Sequence, residues 1–405
     1  MSLIRPFTGL RPVPSRAGDL LAPPYDVLNT DEARTQVAGR PHSFLHVSKP
    51  EIDLPTGTDP FSDEVYQQGN INLQALISEG LLQRDPVPHY YVYQLVMGEH
   101  SQTGLVAVAS VEAYNQNRIR KHEFTRPEKE QDRVRHIDVT QAQTGPVFLV
   151  YRAQQRLDKL LLESTQLPAE VDVTLGDGVR HLMWVVRDQA VIDEITGLVD
   201  AMDSLYIADG HHRSAAAARF AERGGVAGAD YFLSVLFSDR AVQIFDYNRV
   251  VTDLQGQSEE EFLLAVKQRF ELTEETDPVK PAGPAEFGMY LAKKWYRLKV
   301  SAEKIPDDDP VARLDVSLLH GLLIEPLLGI SDPRRDKRVD FVGGIRGLKG
   351  LERRVDSGEM AVAFSLYPTS LDALMAVADA DQVMPPKSTW FEPKLADGMV
   401  SHLLG

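Results

Sequence analysis

The sequence contains no cysteine. Disulfides, cysteine nucleophiles, thiolate metal sites and thiol redox chemistry are therefore excluded together. No apolar run approaches the roughly 18 residues that a membrane span needs. Nor is there an excess of positive charge: 43 Lys and Arg stand against 59 Asp and Glu, a formal net charge of −16. An acidic chain is a poor general partner for nucleic acid or an anionic membrane, although it can hold one basic pocket for a small phosphate ligand. The 11 histidines are mostly scattered and no HExxH occurs, so nothing has the usual spacing of a zinc site. Neither a GxxxxGK[ST] loop nor a dinucleotide glycine fingerprint is present. The start, "MSLIRPFTGLRPVPSRAGD", has no apolar signal core and no small-residue cleavage site, which implies a cytoplasmic protein.

What is present is an ordinary globular composition, 405 residues of which 43% are hydrophobic. Strand and helix patterns are mixed. Tyr90–Met97, Leu105–Tyr114, Val147–Tyr151, His181–Arg187, Ser204–Ala208 and Tyr231–Phe237 read as strands. Asp63–Glu79, Arg126–Asp138, Arg156–Glu163, Val191–Asp200 and His212–Ala221 read as helices. Thr125 stands three before Glu128, the spacing of a capping box, and Pro127 suits a first helical turn. Past Val250 the texture changes. Glu259–Phe270 reads as a helix, Met289–Leu298 as a strand and Val311–Leu328 as a long helix whose apolar surface suits a core or a homodimer interface. The expected fold class is α+β, with one lobe over residues 1–250 and a second α+β lobe over 251–405. The tail 384–398 is expected to return to the first lobe's cleft.

Three polar clusters carry the functional argument. The first is "YIADGHHRSAAAARF", where Asp209, Gly210, His211, His212 and Arg213 crowd one strand-to-helix turn. Such a turn aims backbone N–H groups at an anion, and Gly210 permits a conformation that other residues resist. The bland alternative is that Asp209 merely caps the helix and the histidines face solvent. Adjacent histidines on a helix diverge too far to share one metal ion easily. The second cluster is "IRKHEFTRPEKEQDRVRH". Here His122 and Glu123 lie at a strand end, Arg126 opens a helix, and Lys129, Asp132, Arg133 and His136 share one helical face. A general base and phosphate ligands are available in this set. The third is "MPPKSTWFEPK", where a double proline stiffens a segment carrying Lys387, Ser388, Thr389 and Lys394.

In order along the chain, "LLAPPYDV", "RKHEFTRPEKEQDR", "YIADGHHRSAAA" and "MPPKSTWFEPK" resemble the bacterial and archaeal family filed as domain of unknown function 1015. That family name implies no activity. At a further remove, the Asp-Gly-His-His-Arg turn is similar to the corresponding turn of the ParB/sulfiredoxin-like fold. This implies a ParB-like core in the first lobe and nucleotide phosphates bound at the turn. Sulfiredoxin chemistry is out without a cysteine, and DNA partitioning sits badly with an acidic chain. What fits best is a small-molecule phosphotransferase like the free-serine kinases, using ATP or ADP with Mg²⁺ and a phosphorylated or hydroxylated metabolite. On this reading Glu123 or Asp209 is the base or a metal ligand, with His122 and His212 beside them. Gly210, His211, Arg213, Arg126, Lys129, Lys387, Ser388 and Thr389 hold phosphates. A non-catalytic nucleotide or metabolite sensor and a phosphate-ester hydrolase are the alternatives. His122, Glu123 and Arg126 are expected beside His211–Arg213.

Overall fold

The computed structural model describes residues 2–405. The fold is α+β, with several separate sheets. It divides into two compact units: the chain up to Val242 together with Pro393–Gly405, and the intervening Gln243–Glu392.

Unit 1 is built on a nine-stranded mixed sheet. Its strands run in the order Ile119–Arg120, Leu205–Asp209, Val147–Tyr151, Tyr231–Ser238, His100–Ser110, Tyr90–Met97, Arg180–Val186 and Val171–Thr174, with Ile4–Arg5 paired to His100–Ser110. Two pairings are parallel, Leu205–Asp209 with Ile119–Arg120 and Tyr231–Ser238 with Val147–Tyr151. The central strands are buried along nearly their whole length, so they read as continuous apolar runs such as "VFLVY" and "YFLSVLFS". A core of Leu149, Leu105, Phe232 and Leu236 joins Leu157, Leu161, Ile192 and Ile195 from the helices Gln155–Ser164 and Gln189–Asp200. A second sheet orders Leu82–Arg84, Gly9–Pro12, Ser401–Leu403 and Ala142–Gln143, so residues from the end of the sequence are woven into unit 1.

Two helices position the candidate site. His211–Ala221 is alanine-rich, which favours helix and leaves a flat face. Ala216 and Phe220 on that face pack against Val134 and Ile137 of the helix Pro127–Thr140. The two helix starts, at Arg126 and Gly210, are thereby held as neighbours. Pro127 occupies the first turn, but the expected capping box does not form. Arg126 takes the cap position without a side-chain bond, and the Thr125 hydroxyl turns instead to Glu130.

Unit 2 holds a six-stranded antiparallel sheet ordered Glu271–Glu275, Lys294–Lys299, Glu286–Leu291, Val362–Ser365, Tyr247–Val251 and Val339–Gly343. The strand expected over Met289–Leu298 is two strands of a hairpin. The expected helix Val311–Leu328 begins at Asp315 and passes through one π-helical segment, His320–Ile324, before ending at Leu328. Val316, Leu318, Leu319, Leu323, Ile324 and Leu328 are buried within the chain. Among the described residues no helix is long and apolar enough to cross a membrane.

Candidate functional site

The strand Leu205–Asp209 ends at Gly210, whose φ of 96° lies in the left-handed region, and the helix His211–Ala221 begins at the next residue. The first-turn N–H groups of such a helix have no acceptor inside it. Gly210 is required for a second reason: a Cβ there would come within 3.1 Å of the Arg213 guanidinium. Gly210→Ala is therefore expected to cost about 1–3 kcal/mol, from the left-handed backbone and the crowded arginine. Urea unfolding would check this; a loss below a few tenths of a kcal/mol would show that neither constraint operates.

The structure brings the first two sequence clusters together. The His122 backbone N–H donates to His211 Nε2 at 3.4 Å, and the Arg126 backbone N–H donates to His212 Nε2 at 3.1 Å. The rings of His122 and His211 meet edge to face, 4.5 Å apart. These bonds assign tautomers, because an accepting Nε2 leaves the proton on Nδ1 in a neutral imidazole. His211 Nδ1 then faces the Glu123 carboxylate at 3.8 Å, an ionic distance longer than a hydrogen bond. Burial pushes the His122 imidazole down to about 4 and drives His211 well below the ordinary range, with the neighbouring His122 adding to the effect. Burial, then the Arg126 charge, also lowers His212. At neutral pH the site therefore presents three uncharged imidazoles. Glu123, by contrast, has a side chain half open to solvent.

Asp209 has a different environment. Its Oδ2 lies 3.3 Å from Lys394 Nζ and 3.5 Å from Arg213 Nη2, while Oδ1 accepts from the Gly210 N–H at 2.9 Å. Burial alone would raise its pKa. The charges of Lys394 and Arg213, with the Lys394 hydrogen bond, outweigh that and hold the carboxyl below its ordinary range. Arg213 points inward. Its guanidinium donates to the Pro146 carbonyl and lines a small recess of about 30 Å³ with Tyr25, Arg133 and Gly145. The sequence suggested Arg213 as a phosphate ligand; here it braces the turn from behind. Asp397 lies against the same cluster, accepting from the Tyr25 backbone N–H at 3.1 Å.

Arg126 and Lys129 stay beside the turn, where both charges act on His212; both are exposed, and Lys129 Nζ lies 5.7 Å from the Phe61 ring. Other expected residues fall elsewhere. Asp132 and His136 are buried. Asp132 accepts from the Tyr66 hydroxyl and from Arg133, and His136 Nε2 meets the Val47 carbonyl at 3.0 Å. That helical face is mostly structural, because it packs inward. Lys387, Ser388 and Thr389 fold with unit 2. Lys387 lies 5.5 Å from the Tyr247 ring, and the Ser388 hydroxyl donates to the Pro385 carbonyl. The tail residue that meets the Asp209 turn is Lys394. Tyr25, Pro146 and Asp397 entered no sequence argument as site residues. Tyr25 sits in "LLAPPYDV", one of the four motifs, which was its available signal. Among the described residues no three His, Asp or Glu side chains are grouped to hold a metal ion.

Residues 4–317 match the family described as "Protein of unknown function (DUF1015)". The chain belongs to this family. The matched span contains the Pro-Pro-Tyr-Asp, His-Glu-Phe-Thr-Arg and Asp-Gly-His-His-Arg motifs, and stops before Met384–Lys394. No curated protein matches the chain in sequence. Among solved structures it is similar to a free serine kinase mutant in complex with AMP, at 12% identity and a TM-score of 0.36, over 71% of this chain and 87% of that one. It is also similar to a conserved hypothetical protein from Pyrococcus furiosus, at 13% identity and a TM-score of 0.35, over 72% and 93% of the two chains. SbnI from Staphylococcus aureus aligns at 11% identity and a TM-score of 0.38, over 72% of this chain and 85% of that one.

Proposed function

We propose that this DUF1015 chain transfers a phosphoryl group from a nucleotide to the hydroxyl of a small metabolite. The observation that carries the reading is the meeting of the His122–Arg126 segment with the Gly210–His212 turn. It places an accessible carboxylate, Glu123, beside a helix start whose amides favour an anion. Phosphoryl transfer asks a protein chiefly for positioning and charge neutralisation, together with a base for the acceptor hydroxyl.

The roles divide by environment. Asp209 is committed to Lys394 and Arg213, so it fixes the turn. Glu123 is a carboxylate open to solvent beside the turn, 3.8 Å from His211 Nδ1. In the proposed step Glu123 takes the proton of the acceptor hydroxyl. The hydroxyl oxygen forms a bond to the terminal phosphorus, and the phosphorus–oxygen bond to the nucleotide breaks, its electron pair leaving with the nucleotide. The first-turn amides at His211 and His212, with Arg126 and Lys129, would neutralise the phosphates. If a Mg²⁺ ion accompanies the nucleotide, the substrate phosphates would supply most of its ligands, with Glu123 the nearest solvent-open carboxylate, and it would add charge neutralisation.

The test is phosphorus NMR of the purified chain with ATP or ADP, Mg²⁺ and a panel of hydroxy acids and hydroxylated amino acids. A new phosphate-ester signal is expected with at least one acceptor. Inorganic phosphate as the sole product would indicate the hydrolase. Calorimetric nucleotide binding without turnover would indicate the sensor.

A further inference from the structure

We propose that the recess behind the Gly210 turn is a site for one small monovalent oxyanion, of the size of formate or hydrogencarbonate, held between Arg133 and Arg213. Both guanidiniums line the recess with Tyr25, His136 and Thr144, and Val147 and Phe232 add apolar wall. All of these residues belong to unit 1. The volume of about 30 Å³ suits two or three water-sized groups, at roughly 10–15 Å³ each. A nucleotide is too large for it.

Four polar groups of the lining residues have no hydrogen-bond partner among the described residues. Arg133 spends Nε and Nη2 on Asp132, at 2.8 Å each, which leaves Nη1. His136 donates from Nε2 to the Val47 carbonyl at 3.0 Å, which leaves Nδ1 as a bare acceptor. The Tyr25 and Thr144 hydroxyls bond neither side chain nor backbone. None of these four atoms is sealed from a water-sized probe. His136 and Thr144 are only 3% and 7% exposed, so the recess is the opening that their polar atoms have. Native structures rarely leave so many buried polar groups unmatched in one place.

Charge decides between water and an anion. Arg133 is paired with Asp132, while Asp209 is shared between Arg213 and Lys394. Three positive charges thus meet two paired carboxylates. Asp397 stands on the Gly145 side, its Oδ1 3.5 Å from where a Cβ at Gly145 would lie. Burial lifts its carboxyl to about 7, against the pull of Arg213, so below that pH it adds little negative charge. Asp26 is exposed, where water and salt screen it. One negative charge completes the balance, and a metal cation is excluded by the guanidiniums. Hydrogencarbonate matches the wall group for group. Its oxygens accept from Arg133, Tyr25 and Thr144, and its O–H donates to His136 Nδ1. Formate makes the same contacts except the last.

Calorimetry on the full chain tests the proposal, in potassium gluconate at one near-neutral pH, with hydrogencarbonate, formate and chloride titrated at constant ionic strength. Gluconate is too large for the recess. Hydrogencarbonate or formate is expected to give a saturable isotherm with one ion per chain. Tyr25→Phe and Thr144→Val each remove a hydroxyl that holds nothing else in the protein, so the melting temperature in gluconate should be kept. Each is expected to raise the Kd about tenfold or more, the effect of losing a charge-assisted hydrogen bond. Thr144→Leu, which fills the recess, should abolish binding. Hydrogencarbonate bound more tightly than formate would show that His136 Nδ1 is used; the reverse would identify the ion as a carboxylate, and the site stands in both cases. No saturable binding, chloride as tight as either oxyanion, or an unchanged Kd in the double variant Tyr25→Phe/Thr144→Val would overturn it and leave a recess that takes water alone.

Discussion

Glu123→Gln is expected to lower the rate of phosphoryl transfer by about 10²–10⁴-fold, the usual contribution of a positioned general base. The exchange is nearly isosteric and removes only the ionisable oxygen. The effect should fall on kcat, with the nucleotide KM little changed, because the proposed phosphate contacts come from the turn at Gly210 and from Arg126 and Lys129. Steady-state kinetics on the acceptor identified by NMR would measure both. A Glu123→Gln variant with unaltered kcat would remove Glu123 from the proposed chemistry. Asp209→Asn has a different signature. Lys394 and Arg213 would lose their common partner, and the fold around the turn would weaken along with activity.

The stability of unit 1 is expected to carry an unusual pH dependence from Asp397. Its side chain is 1% exposed. Burial lifts its carboxyl to about 7; the Arg213 charge opposes the rise and Asp26 adds to it. Between about pH 4 and pH 7 the folded chain keeps a proton that the unfolded chain has released. Stability from this group therefore falls as pH rises through that window, by roughly 2–4 kcal/mol in all. Asp209 has the opposite sign. Its depressed pKa adds stability that is present above the ordinary carboxylate range and disappears in acid. Asp397→Asn cannot ionise. Its unfolding free energy, measured in urea against the parent chain, should gain roughly 2–4 kcal/mol on the parent between about pH 4 and pH 8. Groups common to both proteins cancel in that difference. A difference that stays flat with pH would mean that Asp397 is charged in the folded chain at all these values.

Much of the site could be read from residue order because its parts are local. Asp-Gly at the end of an apolar run marks the strand-to-helix turn, and the alanines after it mark the helix. The pairing of His122 with His211 follows from two such junctions meeting on one sheet, where Leu205–Asp209 lies beside Ile119–Arg120. What pattern cannot supply is the partner of a charge. Arg213 reads the same whether it faces a ligand or, as here, the Pro146 carbonyl. Asp397 carries no sign in sequence that it will be sealed beside Tyr25. The hairpin inside Met289–Leu298 was hidden for a backbone reason. Its two turn residues, Ala292 and Lys293, adopt φ of 50° and 64°, a conformation usually announced by Gly or Asn. The strand expected over Leu105–Tyr114 stops at Ser110, because that hydroxyl accepts from the Ala113 N–H and starts a short helix.

The return of Pro393–Gly405 to unit 1 sets an order of events at the ribosome. Asp209 and Arg213 emerge early, whereas Lys394 and Asp397 follow only after Gln243–Glu392 has been made. At about 5–20 residues per second, that delay is roughly 8 to 30 seconds. Through it the nascent turn holds Arg213 without Asp397, and Asp209 without Lys394. The central strands of unit 1 meanwhile await the neighbouring sheet that Ser401–Leu403 completes. All of unit 2 is therefore made before unit 1 can be completed, and the turn at Gly210 gains its last partners at the end.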